Sequence, residues 1–272
     1  MEIFYAVILG VIQGLTEFLP VSSSGHLAVA QILMGFGNSE LVMDVCLHLG
    51  TLLAILLVFR NDIVDIIKAI PRLPQLVRRK ANDDIDEPLW LIALIICGSF
   101  VTGVVGLLGE KVFVGLFTSL RAVSICFIIT GSILWFTRFF NTPCGRKLKN
   151  TKIKDALTIG LAQGLAIAPG ISRSGTTIST ALFLGLDREL AARYSFLLFI
   201  PAVVGATLLE LRHWEASSFS FLAVAMGGLS AFVVGYLALK VLLNLVKRGA
   251  FHYFAYYCWV LGGSVLVYSF LK

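Results

Sequence analysis

The chain has 272 residues, 58% of them apolar and 14% charged, with a net charge of +6 and a mean hydropathy of +0.90. Soluble domains are about 45–50% apolar and about 25% charged, so a soluble enzyme, a secreted scaffold and a disordered chain are excluded. A polytopic all-α membrane protein remains, because the short alternating segments of a barrel do not occur.

In chain order, the first apolar region, 3–36, is broken at Pro20-Val21-Ser22-Ser23-Ser24-Gly25. Arms of ten to fourteen residues would measure about 15–21 Å at about 1.5 Å per residue. That is too short for the ~30 Å of hydrocarbon. The region therefore reads as a re-entrant helix–loop–helix pair, whose polar bend must be surrounded by protein or a water-filled cavity. Spanning helices are expected at about 41–59, 89–108 and 119–138. A second broken region, 156–186, is interrupted at Pro169-Gly170-Ile171-Ser172-Arg173-Ser174-Gly175, and three more spans follow at about 194–211, 219–239 and 251–271. No basic residue precedes Arg60. A cleavable signal peptide needs a basic leading segment, so the first segment is expected to stay in the mature protein.

The charge pattern supports this threading. If both broken regions re-enter, the polar gaps after 59, 138, 186 and 239 share one side and hold seventeen of the 22 Lys and Arg residues. Such a bias makes that side cytoplasmic and both termini extracytoplasmic. Clustering in short gaps is also unlike a nucleic-acid surface, so no nucleic-acid partner is expected. The gap holding Arg72, Arg78, Arg79 and Lys80 also contains Asp83, Asp84, Asp86 and Glu87, and reads as a solvated loop. His213 and His252 stand at segment ends beside Trp214 and Tyr253, as interfacial residues do. The five cysteines (Cys46, Cys97, Cys126, Cys144, Cys258) are odd in number and show no metal or disulfide spacing. They read as small core residues.

An internal repeat links the two broken regions. Residues 10–25 and 160–175 match without a gap at seven of sixteen positions, among them Gly10/Gly160, Gln13/Gln163, Ser22/Ser172, Ser24/Ser174 and Gly25/Gly175. Each half, 1–150 and 151–272, is then one re-entrant pair plus three spans, together one membrane domain. Three is odd, so the halves are expected to be inverted, with their bends meeting near the midplane.

The bends carry the chemistry. Glu17, His26 and Arg173 are ionisable at membrane depth, which makes them functional candidates. A structural Glu17–Arg173 ion pair is the plainer alternative, and Ser and Gly could simply cap the half-helices. Half-helices starting near Gly25 and Gly175 would offer N–H groups and a positive dipole end to a phosphate. Arg173 would add a planar fork, and Ser172, Ser174, Thr176 and Thr177 further donors. Ser23, His26 and Glu17 could supply nucleophile, acid/base and base orienter or metal ligand. Asp44 and His48, four apart, share a helix face and read equally as a pair near the site or as a boundary pair.

The stretches Q-G-L-T-E-F-L-P-V-S-S-S-G-H (13–26) and P-G-I-S-R-S-G-T-T (169–177) strongly resemble the bacitracin-resistance family of undecaprenyl-diphosphate phosphatases. The resemblance extends to D-V-C-L-H-L-G (44–50) and Y-S-F-L-L-F-I-P (194–201). It implies removal of the terminal phosphate from a C55 polyprenyl diphosphate in the bacterial inner membrane, recycling the lipid carrier of peptidoglycan synthesis. Carried over by motif, Glu17, Ser23, His26 and Arg173 are the expected catalytic residues. Gln13, Ser22, Ser24, Gly25, Ser172, Ser174, Gly175, Thr176 and Thr177 are expected to bind substrate. A divalent cation, Mg²⁺ or Ca²⁺, is implied, with Glu17 as a ligand. Gln13 stands where many members carry Glu, which puts a two-carboxylate metal site in doubt. The expected partners are the polyprenyl diphosphate and the bilayer, with a homodimer among the open oligomeric states. Inverted repeats with broken helices also suit a transporter or lipid flippase. The type-2 phosphatidic-acid phosphatase pattern fits less well, because Ser179 stands where its histidine belongs.

Overall fold

In the computed structural model the described residues are 1–34, 41–75, 86–117, 119–140, 145–210 and 219–271. Cys144, His213, Arg78, Arg79, Lys80, Asp83 and Asp84 lie outside them. The helices are α1 (Glu2–Phe18), α2 (Ser23–Met34), α3 (Leu41–Val58), α4 (Arg60–Ala69), α5 (Glu87–Phe117), α6 (Leu120–Phe136), α7 (Ile153–Leu165), α8 (Arg173–Phe183), α9 (Arg188–Glu210), α10 (Phe221–Lys247) and α11 (Phe254–Leu271). Among the described residues the only extended pairing is a bridge between Arg146 and Leu186.

Five helical segments are long and apolar enough to cross a membrane: Glu87–Phe117, Leu120–Phe139, Arg188–Leu209, Phe221–Lys247 and Phe251–Leu271. A sixth results if Val42–Val58 and Arg60–Arg72, bent by 80°, count as one span. The chain is thus a multi-pass helical membrane protein. The bend falls where the apolar run ends at Phe59 and the alternating polar residues of α4 begin. There Asp62 accepts from Arg193 Nε at 2.6 Å. The expected short arms are found for α2, α7 and α8. In contrast, α1 runs to 17 residues, because no helix-breaker occurs before Pro20.

The core follows from the apolar stripes. Phe18, Ile55, Leu94, Leu134, Leu198 and Leu239 are fully buried, drawn from α1, α3, α5, α6, α9 and α10. Helix α9 passes through the middle, with Tyr194, Phe196, Leu197 and Leu198 buried. The Phe196 ring meets Phe18 edge-on at 5.7 Å between centroids, and Tyr194 donates to the Leu94 carbonyl at 2.8 Å.

Two contacts position the broken regions. Helix α1 lies along α10, and α7 lies along α5. The equivalent glycines make both approaches possible. A Cβ on Gly10 would come within 2.3 Å of the Gly227 carbonyl oxygen, and one on Gly160 within 2.3 Å of the Gly98 carbonyl oxygen. Side chains that small let helix backbones touch.

A polar clamp ties the second bend to the chain before it. Arg146 donates to both oxygens of Asp155, at 2.7 and 3.1 Å, and to the carbonyls of Asn150 and Leu184. Lys147 pairs with Asp187 at 2.9 Å.

Candidate active site

Both bends start their second helix in the same way. Ser22 and Ser172 stand just before α2 and α8, and their hydroxyls accept from the N–H three residues on, Gly25 at 3.4 Å and Gly175 at 3.1 Å. These are N-cap bonds, so the half-helices begin at Ser23 and Arg173, two residues earlier than Gly25 and Gly175 suggest. Neighbouring hydroxyls follow suit, with Ser22 to Ser24 at 3.4 Å and Ser172 to Ser174 at 3.3 Å. The capping reading therefore holds for Ser22 and Ser172.

The two bends touch. Ser22 adopts a left-handed φ of 68°, rare for a residue with a side chain, and its hydroxyl accepts from Gly170 N at 3.1 Å. Gly170 has a φ of 91°, and a Cβ there would collide with the Val123 carbonyl at 2.4 Å. Thr130 on α6 holds the second bend from behind, donating to Gly170 O at 2.9 Å and accepting from Ser172 N at 3.0 Å.

Across this junction lies a charged cluster around Glu17, which is 7% exposed. Its Oε2 accepts from Ser23 Oγ at 2.5 Å and from Gln13 Nε2 at 3.0 Å. Its Oε1 accepts from Arg173 Nη2 at 2.5 Å. His48 Nε2 stands 3.9 Å from Oε2, while its Nδ1 lies 2.8 Å from the Asp44 backbone carbonyl. Asp44 thus meets His48 through its main chain. His48 belongs with the site, and sequence spacing alone left it undecided.

Arg173 is not used up by this ion pair. Its guanidinium carbon sits 3.2 Å from the Phe199 ring centroid. Its Nε and Nη1 are buried, with no hydrogen-bond partner among the described residues, as are Gln13 Oε1 and Thr176 Oγ1. Buried polar atoms left open are costly. Of these, the two Arg173 nitrogens are donors open to a ligand rich in oxygen, whereas Gln13 Oε1 can only accept.

His26 is held at both ring nitrogens. Its Nδ1 lies 2.7 Å from the Ser22 carbonyl and its Nε2 2.7 Å from the Tyr257 hydroxyl. Thr177 bonds internally, donating to Arg173 O at 2.8 Å and meeting Ser195 Oγ at 2.5 Å. Gly25 packs against Gly170 and Phe127. Sequence reasoning missed Thr130, Phe199, Ser195 and Tyr257. Ser195 and Phe199 lie within 194–201, a stretch that had already stood out, whereas Thr130 and Tyr257 carry no local signal.

The donor set does not make a cage for a resident cation. Among the described residues no group of three His, Cys, Asp or Glu could hold a metal. Both Glu17 oxygens already face Ser23, Gln13 and Arg173. Ca²⁺ takes about 6–8 oxygens, and Mg²⁺ usually shares substrate phosphates.

The family model described as bacitracin resistance protein BacA matches residues 6–264. The chain belongs to the BacA family. A protein named undecaprenyl-diphosphatase from Desulforapulum autotrophicum is 46% identical, with all of both chains covered. Another of that name from Desulfosudis oleivorans is 48% identical over 98% of each chain, and one from Halothermothrix orenii 41% identical over 98% of each. In this BacA member the Ser23–Glu17–Arg173 cluster draws its parts from both broken regions.

Proposed function

We propose that this BacA-family chain is an undecaprenyl-diphosphatase. It hydrolyses the C55 polyprenyl diphosphate to the lipid monophosphate and inorganic phosphate, which recycles the carrier for peptidoglycan synthesis and confers bacitracin resistance. One observation carries the chemical reading: the Ser23 hydroxyl donates to the Glu17 carboxylate at 2.5 Å, beside a guanidinium with two open donors.

The terminal phosphate of the substrate sits against the Arg173 guanidinium, which gives Nη2 to Glu17 and keeps Nε and Nη1 as donors for phosphoryl oxygens. Gly175, Thr176 and the first turn of α8 add the positive end of a helix. Glu17 takes the Ser23 proton as Ser23 Oγ bonds to the terminal phosphorus. The bond from that phosphorus to the bridging oxygen breaks, and the lipid phosphate leaves with the electron pair and a proton from His26. Water then attacks the phosphoserine. Its phosphorus–oxygen bond breaks, Ser23 recovers its proton from Glu17, and the water proton restores His26. Arg173 faces the charge that builds on the transferring group, where preorganised donors contribute most. Glu17 and Gln13 would be the residues to hold a divalent cation, Mg²⁺ or Ca²⁺, together with diphosphate oxygens, and the ion would supply positive charge against the phosphates.

The architecture is read as an inverted repeat of 1–150 and 151–272 in the bacterial inner membrane, with both termini extracytoplasmic. The reciprocal packing of α1 on α10 and α7 on α5 and the matching Ser22 and Ser172 caps support it. With the other cysteines replaced, Cys144 should resist an impermeant thiol reagent in intact cells and react in inverted vesicles. Ready labelling in intact cells overturns this orientation.

The activity itself is tested by giving purified protein the C55 diphosphate and measuring inorganic phosphate. Redistribution of the lipid across vesicles with no phosphate released would replace this reading by a flippase.

A further inference from the structure

The last helix contributes a side chain to the acid/base group. The Ser22 carbonyl can only accept, so His26 Nδ1 carries the hydrogen in their 2.7 Å bond. The neutral ring then presents the Nε2 lone pair, and the Tyr257 hydroxyl at 2.7 Å donates to it. When the ring is charged, Nε2 donates and the same hydroxyl accepts, since a phenol does both. Tyr257 therefore satisfies both states of His26 in place. The bond joins residues 231 positions apart.

Tyr257 also has a second neighbour. It lines an apolar cavity of about 460 Å³ between α1, the end of α10 and the start of α11, with Leu15, Leu19, Val21, Leu245 and Phe254. Leu19 and Val21 belong to the bend that carries Glu17 and Ser23. Tyr257 thus joins this apolar wall to His26, through the bond of its hydroxyl to Nε2. A lipid diphosphate has the same order of parts, an apolar chain followed by the phosphate nearest to it.

Resting on the phosphatase reading above, we propose that Tyr257 is a positioning residue for the reaction. Its hydroxyl fixes the His26 ring through the 2.7 Å bond to Nε2, while its ring forms part of the cavity wall met by the first isoprenyl units. Tyr257 does not touch the transferred phosphorus; it acts through His26.

Tyr257→Phe separates the two roles, because the ring stays and the hydroxyl goes. The expected result is a kcat about ten- to a hundredfold lower with KM for the C55 diphosphate unchanged, a modest part of what a placed acid/base group supplies. In protein labelled with ¹⁵N-histidine, the His26 Nε2 resonance should move while the melting temperature in detergent holds. Tyr256→Phe removes a hydroxyl one residue away, from a ring packed on Trp135 and Trp259, and should leave both readouts unchanged. A Tyr257→Phe enzyme with native kcat overturns the proposal, and so does a rate loss accompanied by a lower melting temperature and an unmoved His26 resonance. If wild-type protein releases no phosphate, the phosphatase reading fails, and the histidine spectrum still reports separately whether Tyr257 holds Nε2.

Discussion

The two bends share a scaffold and differ in chemistry. In register, Ser22 matches Ser172 and Ser24 matches Ser174, and both serines of the first pair cap a helix. Gln13 matches Gln163, and both are buried. At the reactive positions the register diverges: Glu17 faces Ile167, Ser23 faces Arg173 and His26 faces Thr176. The carboxylate, hydroxyl and imidazole are gathered on one bend, the guanidinium on the other. Gln163 shows what the second bend became, since its amide donates to Thr102 and to the Leu198 carbonyl, packing groups with no charge. In the proposed reading neither bend binds the phosphate alone. The Ser22–Gly170 and Glu17–Arg173 bonds complete the site only when the bends meet.

The largest effect should come from the first bend. Ser23→Ala removes the proposed nucleophile and should lower turnover by more than about a thousandfold, as loss of a covalent nucleophile does elsewhere. Substrate binding should survive, because Arg173 remains. Acid quenching of wild-type turnover should trap a phosphoserine; an acid-labile adduct on nitrogen would move the nucleophile to His26. A Ser23→Ala enzyme of normal rate would remove the chemistry from this bend altogether.

Arg173→Lys tests the second bend, and its effect should be smaller. Charge is kept but the fork is lost, and Lys cannot grip two oxygens in one plane. Losing one charge-assisted hydrogen bond costs about 1.5–3 kcal/mol. Expressed in the transition state at about 1.36 kcal/mol per decade, that is about a ten- to two-hundredfold loss of rate. A purely structural pair with Glu17 would instead keep turnover in the Lys variant, and Arg173→Ala would chiefly lower the melting temperature. Turnover and detergent melting of both variants decide between these roles.

What was legible in advance follows the same division. The six apolar runs, both breaks and the repeat offset could be read from the chain, because hydropathy, Pro and Gly act locally. Residues that depend on contacts between distant helices could not. His48 came to Glu17 through the packing of α3 beside α1, and Tyr257 met His26 across almost the whole chain. Thr130 reads as one more polar residue in an apolar helix, until its hydroxyl is seen bridging Gly170 and Ser172. The 80° turn between α3 and α4 was hidden because an apolar run records where a span ends, not the direction the chain takes next. The length of α1 was misjudged for a related reason: a bend marks the end of an arm but not its beginning.

Gln13→Glu sharpens the first bend by a smaller margin. The native amide donates to Glu17, and Glu there would place like charges side by side, which a cation relieves. The variant should reach half-maximal activity at a several-fold lower concentration of Mg²⁺ or Ca²⁺, and should be the more strongly inhibited by a chelator. An unchanged metal titration would mean that position 13 does not face the cation.

The smallest effect concerns anchoring, where among the described residues only the second region has the Arg146–Asp155 clamp. Asp155 falls in register with Tyr5, so the Arg146–Asp155 pair has no counterpart ahead of the first bend. Burial alone would raise the Asp155 carboxyl; hydrogen bonds from Arg146 and the Lys152 backbone outweigh it and hold the group below the usual carboxylate range. A carboxyl lowered in this way stabilises the fold above its unfolded value of about 3.9, and that contribution disappears as pH falls through the lowered value. Asp155→Asn should therefore lower the detergent melting temperature by a few degrees at pH 7, in line with about 1.5–3 kcal/mol for a bidentate charged bond. The gap between variant and wild type should close below about pH 4. Turnover of the variant at permissive temperature should stay near native, because Asp155 touches Arg146 and not the Glu17 cluster. A gap that persists in acid would show that Asp155 acts through packing rather than charge, and a lost turnover would tie the anchoring of the second bend directly to the placement of Arg173.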